Sequence, residues 1–170
     1  MRYAGKKSVV IGGTIGMGLA TVRALVEGGA EVLVTGRNPQ RLADVQRELG
    51  TQVQVLTSNA ASLRDIEALA THIADTFDQI DFVFINAGIA LLEPFEQVSE
   101  ASYDEMFNTN TKGAYFTVKH LAPLVRDGGA FVFTTSIAND TGEAGMSVYA
   151  GTKAALRAFA KGFAAELLPR

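Results

Sequence analysis

Two side chains late in the sequence could move a proton between them and a bound molecule. Tyr149 and Lys153 stand four residues apart in a helical pattern, so they share one face about one turn apart. An ammonium beside a phenol favours the phenolate, and a tyrosine so placed can exchange a proton with a hydroxyl or carbonyl oxygen. Taken alone, the pair more often marks a packed ring beside a solvated charge. Ser136, thirteen residues before the tyrosine, adds a hydroxyl that can donate to the same oxygen, two donors aimed at one developing charge. By itself it is a loop serine. Asn110 interrupts a helical pattern, where a short amide competes with the backbone. A buried bond to main chain or to a water would account for it, and so would plain exposure.

A second set of residues could hold an anion. In Ser8–Gly18, SVVIGGTIGMG, a β-branched run stops at paired glycines, and a helical pattern begins at Gly16. The spacing is G-x-x-x-G-x-G from Gly12. The first N–H groups of a helix have no internal partners, and glycines let a pyrophosphate approach them closely. A plain strand–helix turn uses the same residues. Asn86-Ala87-Gly88 follows another apolar run. There Gly88 leaves room for a ribose and Asn86 can tie neighbouring strands, although an ordinary Asn-x-Gly turn fits as well. After the second apolar run comes Thr35-Gly36-Arg37-Asn38, with a guanidinium and no carboxylate. An adenosine 2′-phosphate suits that charge, whereas a bare ribose diol lacks its usual acidic acceptor. The expectation is NADP(H) in preference to NAD(H), with an idle surface charge at Arg37 as the alternative.

These groups need a frame. Strands are expected over Lys6–Ile11, Glu31–Thr35, Val53–Leu56, Ile80–Ile85 and Gly129–Thr134. Helices are expected over Gly16–Glu27, Pro39–Leu49, Ser62–Phe77, Ala101–Val125 and Ser147–Leu168. Nearly continuous apolar strands alternating with helices predict an α/β fold, a Rossmann-like doubly wound parallel sheet in one domain over 1–170. Right-handed crossovers, with the reversal usual in such folds after the third unit, give the strand order 3-2-1-4-5 and a crevice at the C-terminal ends of strands one and four.

Composition narrows the partners. A net charge of −3 with no cluster of Lys and Arg argues against a nucleic-acid surface. With no cysteine there is neither a disulfide framework nor a thiolate nucleophile, which fits a reducing, cytoplasmic setting. No run of eighteen apolar residues predicts a membrane span. His72 and His120 stand apart from any ligand-like acidic cluster, so no metal is expected. Phe95, Tyr103 and Phe107 could wall a substrate pocket or join a subunit contact. Since G-K-[ST] does not follow the glycines, a nucleoside triphosphate loop is not indicated.

Taken together and in this order, the glycine turn, Asn-Ala-Gly, Asn110, Ser136 and the Tyr149–Lys153 pair resemble the short-chain dehydrogenase/reductase family over essentially the whole chain. The family's T-G-x-x-x-G-x-G stands here as Ile11–Gly18 with Ile11 for the threonine, its N-N-A-G as Ile85–Gly88, and its Y-x-x-x-K intact. The resemblance implies hydride exchange between NADP(H) and a carbonyl or secondary alcohol. It makes Tyr149 the acid–base, with Lys153 on the nicotinamide ribose, Ser136 on the substrate oxygen, and Asn110 holding a water in a proton relay. It sets the cofactor against Gly12, Thr14, Ile15, Gly16, Met17 and Gly18, against Arg37, Asn59 and Ala60, and against Asn86, Ala87, Gly88, Tyr149 and Lys153. Loss of the threonine hydroxyl at Ile11 is expected to loosen the glycine turn. Self-association is implied through the helices over 101–125 and 147–168, giving dimers. Relatives continue past a point like Pro169-Arg170 with a sixth and a seventh strand and substrate-covering helices. The expectation is therefore an interrupted chain, its fifth strand an open edge, its cofactor held weakly and its turnover slow or absent. The competing reading is a nonenzymatic cofactor-binding or oligomerising module.

Overall fold

The computed structural model describes residues 1–170. Strands β1 (Lys7–Ile11), β2 (Glu31–Gly36), β3 (Val53–Thr57), β4 (Ile80–Ile85) and β5 (Val125–Phe133) form one parallel sheet in the order β3-β2-β1-β4-β5. Helices α1 (Gly16–Glu27), α2 (Pro39–Leu49), α3 (Leu63–Phe77), α4 (Glu100–Phe107), α5 (Ala114–Leu121) and α6 (Ser147–Leu167) connect and cover it.

The near-continuous apolar strands follow from burial on both faces. Side chains alternate across a strand, so Val9 and Ile11 join a cluster with Leu33, Ile73, Phe77, Val118 and Leu156 on the α3–α5–α6 face. Val10 joins Val32, Val34, Val22, Leu25, Leu42 and Val45 on the α1–α2 face. Each such side chain contributes roughly 1.5–3 kcal/mol by leaving water. The register pairs Val9 with both Leu33 and Val83, placing the C-terminal ends of β1, β2 and β4 side by side. Two helices start where side-chain caps predict. Asn38 accepts from Arg41 N–H ahead of Pro39, and Ser62 accepts from Asp65 N–H.

Two expectations are corrected. The helix expected over 101–125 is not continuous. It comprises α4, a π-helical turn over Asn108–Gly113, α5, and a 3₁₀ turn at Ala122–Leu124 containing Pro123. The break falls where Thr109, Asn110 and Thr111 are all buried, their side chains drawn inward. The fifth strand also begins earlier than Gly129. Val125 already pairs with Ile80, and the register then shifts across Arg126–Gly129, where Gly128 takes a φ of 77°.

At the N-terminal edge of the sheet the Asp81 carboxylate gathers three partners. Lys6 Nζ and Lys7 N–H each donate to it at 2.9 Å, and Arg126 Nε lies 3.3 Å away. Burial pushes this carboxyl upward, but the Lys7 N–H, the Lys6 ammonium and Arg126 together hold it below the ordinary carboxylate value.

Candidate active site

The glycine turn is built around backbone contacts. Gly12 has a φ of 79°, and a Cβ there would lie 2.8 Å from the Ala87 Cα at the end of β4. A Cβ on Gly18 would strike the Gly12 carbonyl oxygen and crowd Asn86 Nδ2 at 2.8 Å. That space holds a hydrogen bond: Asn86 Nδ2 donates to the Gly12 carbonyl at 2.9 Å. The amides of Gly12 and Gly13 both donate to the Thr35 carbonyl at 3.1 Å, so β2 carries the turn from beneath. Ile11 is buried, and its carbonyl receives the amides of Asn86 and Ala87. Asn86 thus steadies the turn from the neighbouring strand, while Ile11 leaves position 11 without a hydroxyl. Helix α1 opens with no side-chain cap and no acidic residue in its first turn, an arrangement open to an anion.

Above the turn lies a cleft of about 1030 Å³. Its floor is Gly12 with Thr14, Ile15, Gly16 and Met17; Arg37, Asn59 and Ala60 line one side; Asn86, Ala87 and Gly88 face them, with Tyr149 and Lys153 at the far end. The structure therefore brings most of the expected residues onto one surface. Three stand outside its lining. Gly18 lies under the turn and acts through close packing. Asn110 is 1% exposed and sits behind the wall. Ser136 opens a 3₁₀ turn, where its Oγ accepts the Ala138 N–H at 3.2 Å, leaving its own proton uncommitted.

The far end is a buried polar assembly. Lys153 is 3% exposed, its Nζ donating to the Thr134 carbonyl at 2.7 Å and lying 5.7 Å from the Tyr149 ring centre. Burial pushes its ammonium below the ordinary lysine value. The Thr134 hydroxyl donates to Asn86 Oδ1 at 3.0 Å, so one strand end links the lysine to the glycine turn. Asn110 Oδ1 accepts the Ile89 N–H at 2.8 Å and its Nδ2 donates to the Ile89 carbonyl at 2.8 Å. This side chain clamps the backbone just past Gly88. Its second Nδ2 hydrogen goes to Thr152 Oγ1 at 3.1 Å, so the whole amide is spent within the protein.

Sequence reasoning missed two contributors. Arg41, in the first turn of α2, lines the cleft with Arg37. The Asn38 cap and Pro39 start signal were legible, and Arg41 stands three residues after that cap at the same rim. Thr134 had no such signal, since its importance lies in contacts with Asn86 and Lys153 across the sheet.

The residues present fit a dinucleotide: a cradle that a Cβ would fill, an uncapped helix start, two guanidiniums at one rim and a lysine at the other. Comparison with known proteins agrees. The short chain dehydrogenase family matches residues 6–170. The oxidoreductase asL5 of Sarocladium schorii is 32% identical over 168 residues, covering 98% of this chain and 68% of that protein. The hydroxynaphthalene reductase arp2 of Aspergillus fumigatus is 28% identical, with 96% and 61% covered. Among solved structures, a short chain dehydrogenase from Burkholderia cenocepacia in complex with NADP superposes with a TM-score of 0.95 at 28% identity, covering 100% of this chain and 71% of that one. The short-chain dehydrogenase/reductase of Serratia marcescens gives a TM-score of 0.95 at 26% identity, with 99% and 71% covered. The chain thus spans 61% to 71% of the length of these relatives.

Proposed function

Because the chain belongs to the short-chain dehydrogenase/reductase family, we propose that its cleft takes NADP(H) and serves the reduction of a carbonyl, or the reverse oxidation of a secondary alcohol. The observation that carries this reading is the placing of Tyr149 and Lys153 at one end of a cleft whose other end is the glycine turn. The bound cofactor would supply or accept the hydride.

The chain's own residues have separable tasks. The Tyr149 hydroxyl gives a proton to the substrate oxygen in reduction and takes it back in oxidation. Lys153, fixed by the Thr134 carbonyl, spends one of three donors there and keeps the others for ribose hydroxyls. Ser136 offers its free O–H to the substrate oxygen. Asn110, locked on Ile89, holds the wall beside Gly88.

Selection of NADP(H) over NAD(H) rests on Arg37 and Arg41, which together face the cleft where a ribose phosphate would need cations. Self-association through α4–α5 and α6 is supported by the outward-facing Tyr103 and Tyr115, 44% and 39% exposed. Light scattering on the purified chain tests it, a monomer at all concentrations overturning it.

The direct experiment is titration of this chain with NADPH, followed by carbonyl-dependent NADPH loss with and without Tyr149→Phe. Saturable binding, and consumption that depends on Tyr149, are expected. Failure to bind NADPH, or consumption indifferent to the substitution, overturns the reading.

A further inference from the structure

Thr152 lies between the proton-transfer pair and has no exposed surface. A threonine inside a helix ordinarily returns its hydroxyl to a carbonyl three or four residues back. Thr21, Thr71, Thr76 and Thr117 do this and show no further partner. Thr152 does it too, donating to the Tyr149 carbonyl at 2.7 Å, but its oxygen also receives Asn110 Nδ2 at 3.1 Å.

Every proton in this group is then assigned. Thr152 gives its one hydrogen to Tyr149. Asn110 gives one amide hydrogen to Thr152 and the other to the Ile89 carbonyl, while its Oδ1 takes the Ile89 N–H. A single path of hydrogen bonds therefore runs from the backbone of Tyr149, through Thr152 and the π-helical turn, to the backbone of Ile89 on the adjoining wall. Beside it, the space above Gly88 is bounded by both partners: a Cβ there would lie 3.2 Å from Asn110 Oδ1 and 3.3 Å from Lys153 Nζ.

We infer that Thr152 is a positioning residue: its hydroxyl, through Asn110, sets how far the Gly88–Ile89 wall stands from Tyr149 and Lys153. Without that acceptor, one Asn110 hydrogen is buried and unpaired, and the clamp on Ile89 loosens. The adenosine side of the cleft shares none of these bonds and should be unaffected. The consequence for NADPH rests on the reading of the cleft given above; the effect on Ile89 does not.

Three cofactor-free proteins test it by amide hydrogen exchange: wild type, Thr152→Val, which keeps the shape and removes the hydroxyl, and Thr152→Ser, which keeps the hydroxyl. Exchange at Ile89 should quicken about tenfold or more in Thr152→Val, the scale expected for an unpaired buried donor, and remain as wild type in Thr152→Ser. In parallel, Thr152→Val should weaken NADPH binding while leaving 2′,5′-ADP affinity unchanged. If Thr152→Val does not fold, Thr152→Ala takes its place. Unchanged Ile89 exchange, or a serine variant behaving like the valine or alanine one, overturns the inference, because packing and not the hydroxyl would then matter. If Ile89 responds as expected but wild type binds no NADPH, the positioning role stands and the proposed function falls.

Discussion

At the glycine turn the cleft is made of backbone and open surface; at the Tyr149–Lys153 end it is made of buried side chains. Ile15 and Met17 on the turn are 55% and 64% exposed, and Arg37 and Arg41 are exposed as well. Asn110, Thr152 and Lys153 are 1%, 0% and 3% exposed, each hydrogen-bonded. The difference suits the tasks proposed for the two ends. A diphosphate can be met by amides and a helix end, which any side chains can supply provided none intrudes. Proton transfer needs particular atoms held to a fraction of an ångström, and buried networks give that rigidity.

Substitutions at the two ends should therefore separate catalysis from binding. The largest effect belongs to the phenol: Tyr149→Phe should lower turnover by roughly 10²- to 10⁴-fold, the usual scale for a general acid–base, with NADPH affinity nearly intact. Steady-state rates and fluorescence titration together check it. Comparable losses in both would merge the two ends into one unit.

Next comes Gly18→Ala, a change of one methyl group at the other end. Its Cβ must displace the Gly12 carbonyl and the Asn86 amide, and overpacking of this kind costs about 1–3 kcal/mol. NADPH affinity and thermal stability should fall together. A fully stable variant with wild-type affinity would show that the turn yields more easily than its packing suggests.

Smaller and more selective effects are expected from the guanidiniums. Arg37→Ala or Arg41→Ala should each weaken NADPH about tenfold, leave NADH affinity alone, and lose most of that difference in high salt. Equal losses for both dinucleotides would remove the 2′-phosphate assignment.

The smallest effect lies outside the cleft, at Asp81. Its carboxyl is held below the ordinary value of 3.8. The resulting stability is fully present above that value and is lost as pH falls through the lower folded one. Since its cationic partners remain in solvent, the contribution is no more than about 1 kcal/mol. Acid denaturation of Asp81→Asn beside wild type should show a shallower pH dependence below about pH 4, with no change in NADPH affinity at neutral pH.

Much of this was legible in advance for identifiable reasons. Strand order followed from doubly buried apolar runs, the handedness of parallel crossovers and the reversal usual in such folds after the third unit. The turn followed from Gly12, Gly16 and Gly18: a Cβ on the first or last would strike its neighbours, and Gly16 takes a φ of 54° that favours glycine. The shared helix face of Tyr149 and Lys153 followed from their four-residue spacing, while the roles proposed for them came from the resemblance carried by the whole ordered set of motifs. Such signals are local, so they survive in a linear text.

The rest was decided by residues distant in the chain. Asn110 read as an ill-suited helical amide, and only the approach of Ile89 and Thr152 turned it into a clamp with a π-helical turn around it. Thr134 and Thr152 are ordinary threonines until the sheet and α6 set one beside Asn86 and Lys153 and the other beside Asn110. Local patterning determined the fold, the glycine-lined hollow and the shared helix face of Tyr149 and Lys153. Tertiary structure alone determined which hydrogen bonds tie that pair to the adjoining wall, because a buried polar group's role depends on partners that spacing along one element does not specify.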